Sequence, residues 1–137
     1  MDNRQNIKNV ILDLGGVLVD IDVDQTYRSF KRIFKPEAFV NINWEELPEV
    51  VVAMETGKWT KDQFKKTMLE ACKPGVSASQ MVDAWCAMLQ EFKVVRIAMI
   101  KELSEKYNLY LLSNTNVYHV EYFEKEFKYR YHSGFKK

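Results

Sequence analysis

Apolar residues follow two kinds of pattern along this chain: continuous runs near its two ends and helical periodicity between them. The runs Val10–Leu12 and Leu109–Leu112 have the length and composition of buried parallel strands. Between them, apolar residues recur at three- and four-residue spacings, as at Phe30, Ile33 and Phe34. The order predicts two strands of one sheet with a helical insertion between them.

Capping and turn residues mark where the inserted helices begin and end. Thr60 with Gln63, and Ser77 with Gln80, match the pattern of a capping box, in which two side chains satisfy the first free backbone groups of a helix. We predict six helices. The first follows Asp24 and stops at Pro36, the second covers 48–56, and the third runs from Thr60 towards Pro74. The fourth runs from Ser77 to Phe92, the fifth contains Ile97 and ends near Asn108, and the last contains Val120, Phe123 and Phe127. Residues 129–132 are predicted to begin a third strand or to form a disordered end.

Polar residues follow both apolar runs directly. Asp13 comes straight after the first run and is followed by Gly15 and Gly16, whose flexibility lets the backbone close around a ligand. Ser113 and Asn114 follow the second run. Ligands of open α/β sheets bind outside the carboxyl ends of the strands, so these residues are the candidate site, with Asp13 as a nucleophile, a metal ligand or both.

These residues resemble the haloacid dehalogenase superfamily of aspartate-nucleophile hydrolases. The string Asp13–Leu18 is similar to the first motif of that superfamily, and Ser113 with Asn114 is similar to the second. The stretch from Asp13 to Asp20, with residues 113–116, is especially similar to a bacterial subgroup of sugar-phosphate phosphatases. Gly134 to Lys137 is similar to the Gly-x-x-Lys third motif, but the string is so close to Ser113 and to the terminus that a frayed basic tail is the favoured interpretation.

The resemblance implies a role for each matched residue. Asp13 would attack phosphorus and bind Mg²⁺, and the backbone carbonyl of Gly15 would be a second metal ligand. Ser113 would donate its hydroxyl to a phosphate oxygen, with Gly16 and the Asn114 amide also binding substrate. Lys137 would neutralise charge on Asp13 and the phosphate. The cofactor expected from the resemblance is Mg²⁺.

The same resemblance implies a fold and a domain division. We expect an α/β protein: a partial Rossmann-like parallel sheet core formed by residues 1–20 and 93–137, with an inserted α-helical cap over residues 21–92. The superfamily carries an acidic fourth motif on a later strand, and too few residues follow Asn116 for another strand-helix unit of roughly 30 residues. We therefore expect the chain to be truncated at its C-terminus relative to the family.

One matched position departs from the family in a way that affects chemistry. The family places an aspartate that acts as general acid and base two residues after the nucleophile, and this chain has Gly15 there. Asp20 and Asp22 are expected to be solvated loop carboxylates, with Asp20 the first candidate to replace the missing acid. His119 is expected to be a helix cap or a surface residue rather than a base.

The function expected from these motifs is a Mg²⁺-dependent phosphatase acting on small phosphorylated metabolites, such as sugar phosphates, through an aspartyl-phosphate intermediate. We expect this chain to be weakly active or inactive. Two alternatives remain open. The chain could be a truncated, non-catalytic product that is inert or binds a partner through an incomplete sheet, or it could be a 2-haloacid dehalogenase that uses the same aspartate.

Composition limits the partners of the protein. The net charge of +1 gives no field to attract nucleic acid or an anionic membrane, and no apolar run approaches the length that spans a bilayer. Cys72 and Cys86 fall in helical patterns, so reduced thiols in the core and a cytoplasmic location are expected. An incomplete sheet with an uncovered apolar face also favours self-association.

Overall fold

The computed structural model of this chain describes residues 7–41, 49–132 and 134, and its two predicted strands pair with each other. Strand β1 (Asn9–Leu12) and strand β4 (Asn108–Leu111) run parallel. Leu12 lies opposite Leu111, and the backbone N–H of Leu112 donates to the carbonyl of Leu12 over 2.9 Å. The mixed α/β architecture with a small parallel sheet is thus confirmed.

A second two-stranded sheet was not predicted. It pairs strand β2 (Val19–Ile21) with strand β3 (Leu89–Phe92). The prediction of one helix from Ser77 to Phe92 is therefore wrong, since the helix ends at Cys86 and the chain continues as a strand.

The bonding of the Trp85 carbonyl shows why this helix ends early. In a longer helix this carbonyl would accept from the residue four positions later. Here it accepts from the hydroxyl of Thr26 and lies 3.2 Å from Nε2 of His119. The backbone N–H of Met88 donates to the same Thr26 hydroxyl over 3.0 Å. Contacts with two other segments thus replace the next helical turn.

The helices follow the predicted order, with one short addition, α2, that was not predicted. They are α1 (Val23–Ile33), α2 (Pro36–Val40), α3 (Glu49–Glu55), α4 (Lys61–Ala71), α5 (Ala78–Cys86), α6 (Val94–Ser104) and α7 (Val117–Tyr131). Both predicted capping boxes form, at Thr60 and at Ser77. Pro36 stops α1 as predicted and then occupies the first turn of α2, where its missing N–H costs nothing. Pro48, predicted to open α3, lies outside the described residues.

The chain end also differs from the prediction. Residues 129–131 continue α7, so the expected third strand or disordered segment is wrong over them. His132 then ends the helix in the left-handed conformation, with φ 50°, and its N–H donates to the carbonyl of Lys128. A left-handed residue at this position is a common way for a helix to end.

By their contacts, the residues fall into two units. Of the described residues, the strand unit comprises 7–21 and 90–113, and the helical unit comprises 22–41, 49–89, 114–132 and 134. The division expected from the resemblance, with residues 1–20 and 93–137 as core and 21–92 as cap, stays a prediction. By contacts, α7 groups with the inserted helices, because its buried face packs among their aromatic side chains.

Aromatic packing forms the core of the helical unit. Phe64 is fully buried at its centre, with ring centroids 4.8 Å from Trp85 and 5.3 Å from Tyr118 of α7. The buried cluster consists of Phe30, Phe34, Met54, Phe64, Met68, Cys72, Met81, Ala84, Trp85, Cys86 and Tyr118. Both cysteines are free and buried, which confirms the expectation of core thiols. Burial raises the pKa of Cys86 to about 12.

In the strand unit, α6 packs against β4 and buries Ile97. This helix leads directly into the strand whose end carries Ser113. Across the described residues, every helix is too short or too polar to cross a membrane.

Candidate functional site

The pairing of β1 with β4 brings Asp13 and Ser113 to the same edge of the sheet. Asp13 comes one residue after Leu12, and Ser113 comes one residue after Leu112, whose N–H is bonded to Leu12. Neighbouring strands lie about 4.8 Å apart. The two side chains therefore follow the carboxyl ends of adjacent parallel strands, as the sequence predicted.

The carboxylate of Asp13 is exposed and held from one side. The backbone N–H of Leu14 donates to its Oδ1 over 2.7 Å, while no donor to Oδ2 is seen within the described part of the chain. Ser113 is half-buried. The pairing of the strands therefore puts an exposed carboxylate and a half-buried hydroxyl, which can donate a hydrogen bond, after the ends of neighbouring strands.

The turn after Asp13 is closed by its own backbone. The carbonyl of Leu14 accepts from Leu18 at 2.8 Å and from Val19 at 2.9 Å, and Gly16 donates to the carbonyl of Val19 at 2.7 Å. Gly16 has a φ angle of 75°, a backbone conformation that residues other than glycine rarely adopt. Leu14, Leu18 and Val19 are all buried, so the turn is anchored in the strand unit.

The remaining predicted site residues fare differently. The N–H of Gly16 is bonded within the turn, so its predicted binding role would have to come from the shape of the turn. Asn114 is exposed and directly follows Ser113 in the chain. Lys137 lies outside the described residues, and its role stays a prediction.

Two cations that were not predicted from the sequence hold Asp20. Lys93 Nζ lies 2.6 Å from its Oδ2, and Arg96 Nη1 lies 2.7 Å from its Oδ1. These contacts, with Lys93 first and Arg96 second, lower the pKa of Asp20. Asp20 is therefore an ion-paired strand residue rather than a solvated loop carboxylate, and it is ionised rather than poised to donate a proton. The sequence carries no signal that links Asp20 to residues more than 70 positions away.

The other two candidate acids or bases are also accounted for. Asp22 lies at the N-terminus of α1, and its Oδ2 is 3.6 Å from Arg28 Nη2. His119 is buried in the first turn of α7, stacked on Trp85, so the expectation of a surface residue is wrong. Burial lowers the pKa of His119, which keeps it neutral in the core.

The metal site suggested by the resemblance would consist of few protein ligands. Nowhere in the described ranges do three or more His, Cys, Asp or Glu side chains come together. The donors at the sheet edge are the carboxylate of Asp13 and the carbonyl of Gly15. Mg²⁺ is often held by one or two carboxylates, several waters and the phosphate of a substrate. The oxygen donors therefore fit a weak Mg²⁺ site that water and phosphate complete.

Comparison with known sequences finds one informative relative. The chain is 31% identical over 110 residues to a D-ribitol-5-phosphate phosphatase of Bacteroides thetaiotaomicron. The match covers 80% of this chain and 53% of the relative, so this chain spans about half the length of that protein. The chain matches no protein-family profile.

Comparison with solved structures gives the same result at the level of the fold. A HAD family enzyme of Bacteroides thetaiotaomicron, solved as a magnesium complex, is 35% identical with a TM-score of 0.77, and the match covers 92% of this chain and 62% of that one. An aspartate-to-alanine mutant of that enzyme was solved with magnesium and inorganic phosphate. A predicted HAD-like family hydrolase of Porphyromonas gingivalis is 27% identical with a TM-score of 0.67, over 84% of this chain and 55% of the other.

Proposed function

We propose that this chain, which belongs to the haloacid dehalogenase superfamily, is a Mg²⁺-dependent phosphatase acting on small phosphorylated metabolites. The observation that carries the proposal is the placement of Asp13 and Ser113 after the ends of two paired parallel strands. A nucleophilic carboxylate beside a phosphate-binding hydroxyl is what phosphoryl transfer to an aspartate needs. The relatives described above support the reaction class.

In the proposed reaction, Oδ2 of Asp13 attacks the phosphorus atom and the bond between phosphorus and the ester oxygen breaks. The leaving alkoxide takes up a proton from water, and an aspartyl-phosphate remains. Water then attacks phosphorus, releases inorganic phosphate and regenerates the carboxylate. The hydrogen bond from Leu14 to Oδ1 orients Asp13, and the hydroxyl of Ser113 donates to a phosphate oxygen. Mg²⁺, held by Asp13 and the Gly15 carbonyl, would offset the negative charge that carboxylate and phosphate share.

The weak step in this scheme is protonation of the leaving group. Gly15 has no side chain to serve as the acid, and the two cations keep Asp20 ionised. Loss of a positioned general acid costs on the order of 10²–10⁴-fold in rate. We therefore propose that this chain turns over slowly. Esters whose leaving group is stable as an anion should react faster than alkyl esters.

The proposed substrate class is a phosphorylated sugar or polyol. The support is the identity to the D-ribitol-5-phosphate phosphatase, which covers 80% of this chain. A cytoplasmic location belongs to the same proposal, since two buried free thiols suit a reducing compartment.

The test is hydrolysis of p-nitrophenyl phosphate with and without Mg²⁺ by the wild-type chain and by Asp13→Asn. The amide is neither a nucleophile nor an anionic metal ligand, so Asp13→Asn should lose all Mg²⁺-dependent turnover. Asp24→Asn is the matched control, because Asp24 is an exposed aspartate in the first turn of α1, outside the proposed site.

Three outcomes separate the candidate functions. Turnover that survives Asp13→Asn would show that the nucleophile is misassigned. Wild-type turnover of 2-chloropropionate without metal, with no phosphatase activity, would favour the dehalogenase. Absence of both activities, together with no binding of Mg²⁺ and beryllofluoride to the wild-type chain, would leave the non-catalytic alternative.

A further inference from the structure

The ion pairs of Asp20 join the strand that follows the Asp13 turn to the start of α6. Lys93 directly precedes α6, and Arg96 lies in the first turn of that helix. Asp20 belongs to β2 and follows Val19, whose backbone closes the turn after Asp13. All of these residues lie within the strand unit. The network therefore connects the site turn to a helix that is distant in the sequence.

The start of α6 needs the negative charge that Asp20 supplies. The N-terminus of a helix carries a partial positive charge, which acidic groups offset and cations worsen. The first turn of α6 has no acidic residue of its own, and Lys93 and Arg96 add two positive charges there. The carboxylate of Asp20 lies 2.6 Å from the first cation and 2.7 Å from the second. Its contacts therefore favour both the cations and the helix start.

Burial makes this network stronger than an ordinary surface ion pair. Single exposed pairs contribute little to stability. Here two cations share one carboxylate, the side chain of Arg96 is only 22% exposed, and its Nη1 atom is shielded from solvent. A neutral residue in place of Asp20 would leave that charged nitrogen buried without its carboxylate, which costs more than the loss of an exposed pair. The network should therefore restrain the backbone on both sides of it.

The backbone next to Asp20 is the turn that carries the proposed metal ligand. Val19 accepts from the N–H of Gly16 at 2.7 Å and donates to the carbonyl of Leu14 at 2.9 Å. Val19 also forms a β-bridge with Gly15. A shift of β2 would therefore be passed to Gly15, whose carbonyl is the proposed second ligand of Mg²⁺.

We propose that Asp20 is a positioning residue, which holds the turn of residues 14–19 against the start of α6 through Lys93 and Arg96 and so fixes the carbonyl of Gly15. Since α6 also packs against β4, the network braces the turn against the β1–β4 sheet. The metal part of this inference rests on the proposed function, whereas the hold on the turn does not. Loss of groups that orient metal ligands lowers metal affinity by about 10–100-fold. Asp20 acts through the backbone, so we expect the lower end, about tenfold.

The hold on the turn can be measured without metal. Hydrogen exchange of the full chain, followed by NMR, reports the amide of Val19, which donates to the carbonyl of Leu14. In Asp20→Asn this amide should exchange about fivefold faster, the effect of an ion pair at the upper end of the usual range. The amide of Leu112, which reports the pairing of β1 with β4, serves as the internal reference and should change less.

Glu121→Gln is the matched control, because it breaks an ion pair with Lys61 of 2.7 Å in the helical unit. Titration calorimetry with Mg²⁺ and beryllofluoride should show about tenfold weaker binding in Asp20→Asn and unchanged binding in Glu121→Gln. In turnover, the half-saturating Mg²⁺ concentration should rise more than kcat at saturating Mg²⁺ falls. The double variant Lys93→Gln with Arg96→Gln should match Asp20→Asn, and adding Asp20→Asn to it should have no further effect, because the three residues form one network.

Each outcome decides a separate step of the inference. Exchange of Val19 at the wild-type rate in Asp20→Asn would overturn the proposal. Equal effects of Glu121→Gln would also overturn it, since a general loss of stability would then explain them. Faster exchange with unchanged Mg²⁺ affinity would refute the link to Gly15. A wild-type chain that binds no Mg²⁺ would contradict the proposed function instead, and the exchange rates alone would then decide whether Asp20 holds the turn.

Discussion

Restoring a side-chain acid at Gly15 should speed the reaction selectively. A Cβ atom at this position would lie 3.5 Å from Cγ1 and 3.7 Å from Cδ1 of Ile21, which is ordinary van der Waals contact. The backbone of Gly15 lies outside the left-handed region, unlike that of Gly16. Gly15→Asp should therefore fold without strain and place a carboxyl group two residues after the nucleophile.

The size of the gain depends on the substrate. Where the leaving alkoxide needs a proton, a positioned general acid contributes on the order of 10²–10⁴-fold, which corresponds to about 2.7–5.4 kcal/mol of the barrier. For p-nitrophenyl phosphate the leaving anion is already stable, so the gain should be small. The measurement is kcat/KM of the wild-type chain and Gly15→Asp on ribitol 5-phosphate and on p-nitrophenyl phosphate, at saturating Mg²⁺.

Gly15→Asn is the matched control, since it has the same shape without the acid. Equal gains in the Asp and Asn variants would show that the side chain acts by packing. A folded Gly15→Asp chain with unchanged kcat/KM on the alkyl ester would refute the argument that the missing acid limits the rate.

Three further outcomes follow from buried or ion-paired groups. Asp20→Asn removes two ion pairs, so it should lower the melting temperature modestly. It should leave the dependence of rate on the leaving group unchanged, because an ionised Asp20 donates no proton. A steeper dependence in this variant would identify Asp20 as the donor. Burial lowers the pKa of His119 below 6.5, so the unfolded chain takes up that proton first as the pH falls, and the free energy of unfolding should decrease below about pH 6.5. The decrease is about 1.4 kcal/mol for each unit that separates the two pKa values; urea unfolding between pH 5 and 8 measures it, and His119→Gln should flatten the profile. Phe64→Ala should lower the free energy of unfolding in urea by about 3–5 kcal/mol, since Phe64 is fully buried. Val40→Ala, at a 79% exposed position, should leave it almost unchanged. Similar losses at both positions would contradict the packing described.

Local signals predicted the fold wherever neighbouring residues decide it. The apolar runs gave β1 and β4, and side chains three residues apart gave the caps at Thr60 and Ser77. The site residues Asp13 and Ser113 follow from the same logic, since each ends an apolar run and parallel strands share an edge.

Distant contacts account for what the sequence did not predict. Leu89 and Phe92 fit a helical spacing, yet the hydroxyl of Thr26 and the ring of His119 bond to the Trp85 carbonyl and stop the helix. Strand β2 has only three residues, and its partner lies about 70 positions later. The ion pairs of Asp20 have the same origin. No periodicity within a short window records such pairings.

The pairing of β1 with β4 has a consequence for synthesis on the ribosome. Asn9 and its partner Asn108 are 99 positions apart, and the helical segment between them is made in the interval. At translation rates of about 5–20 residues per second, β1 waits roughly 5–20 seconds for its partner. During that time its apolar side chains and backbone groups are open to chaperones and to other nascent chains. Yield in cells should therefore respond to translation speed and chaperone supply more than the stability of the finished chain would suggest.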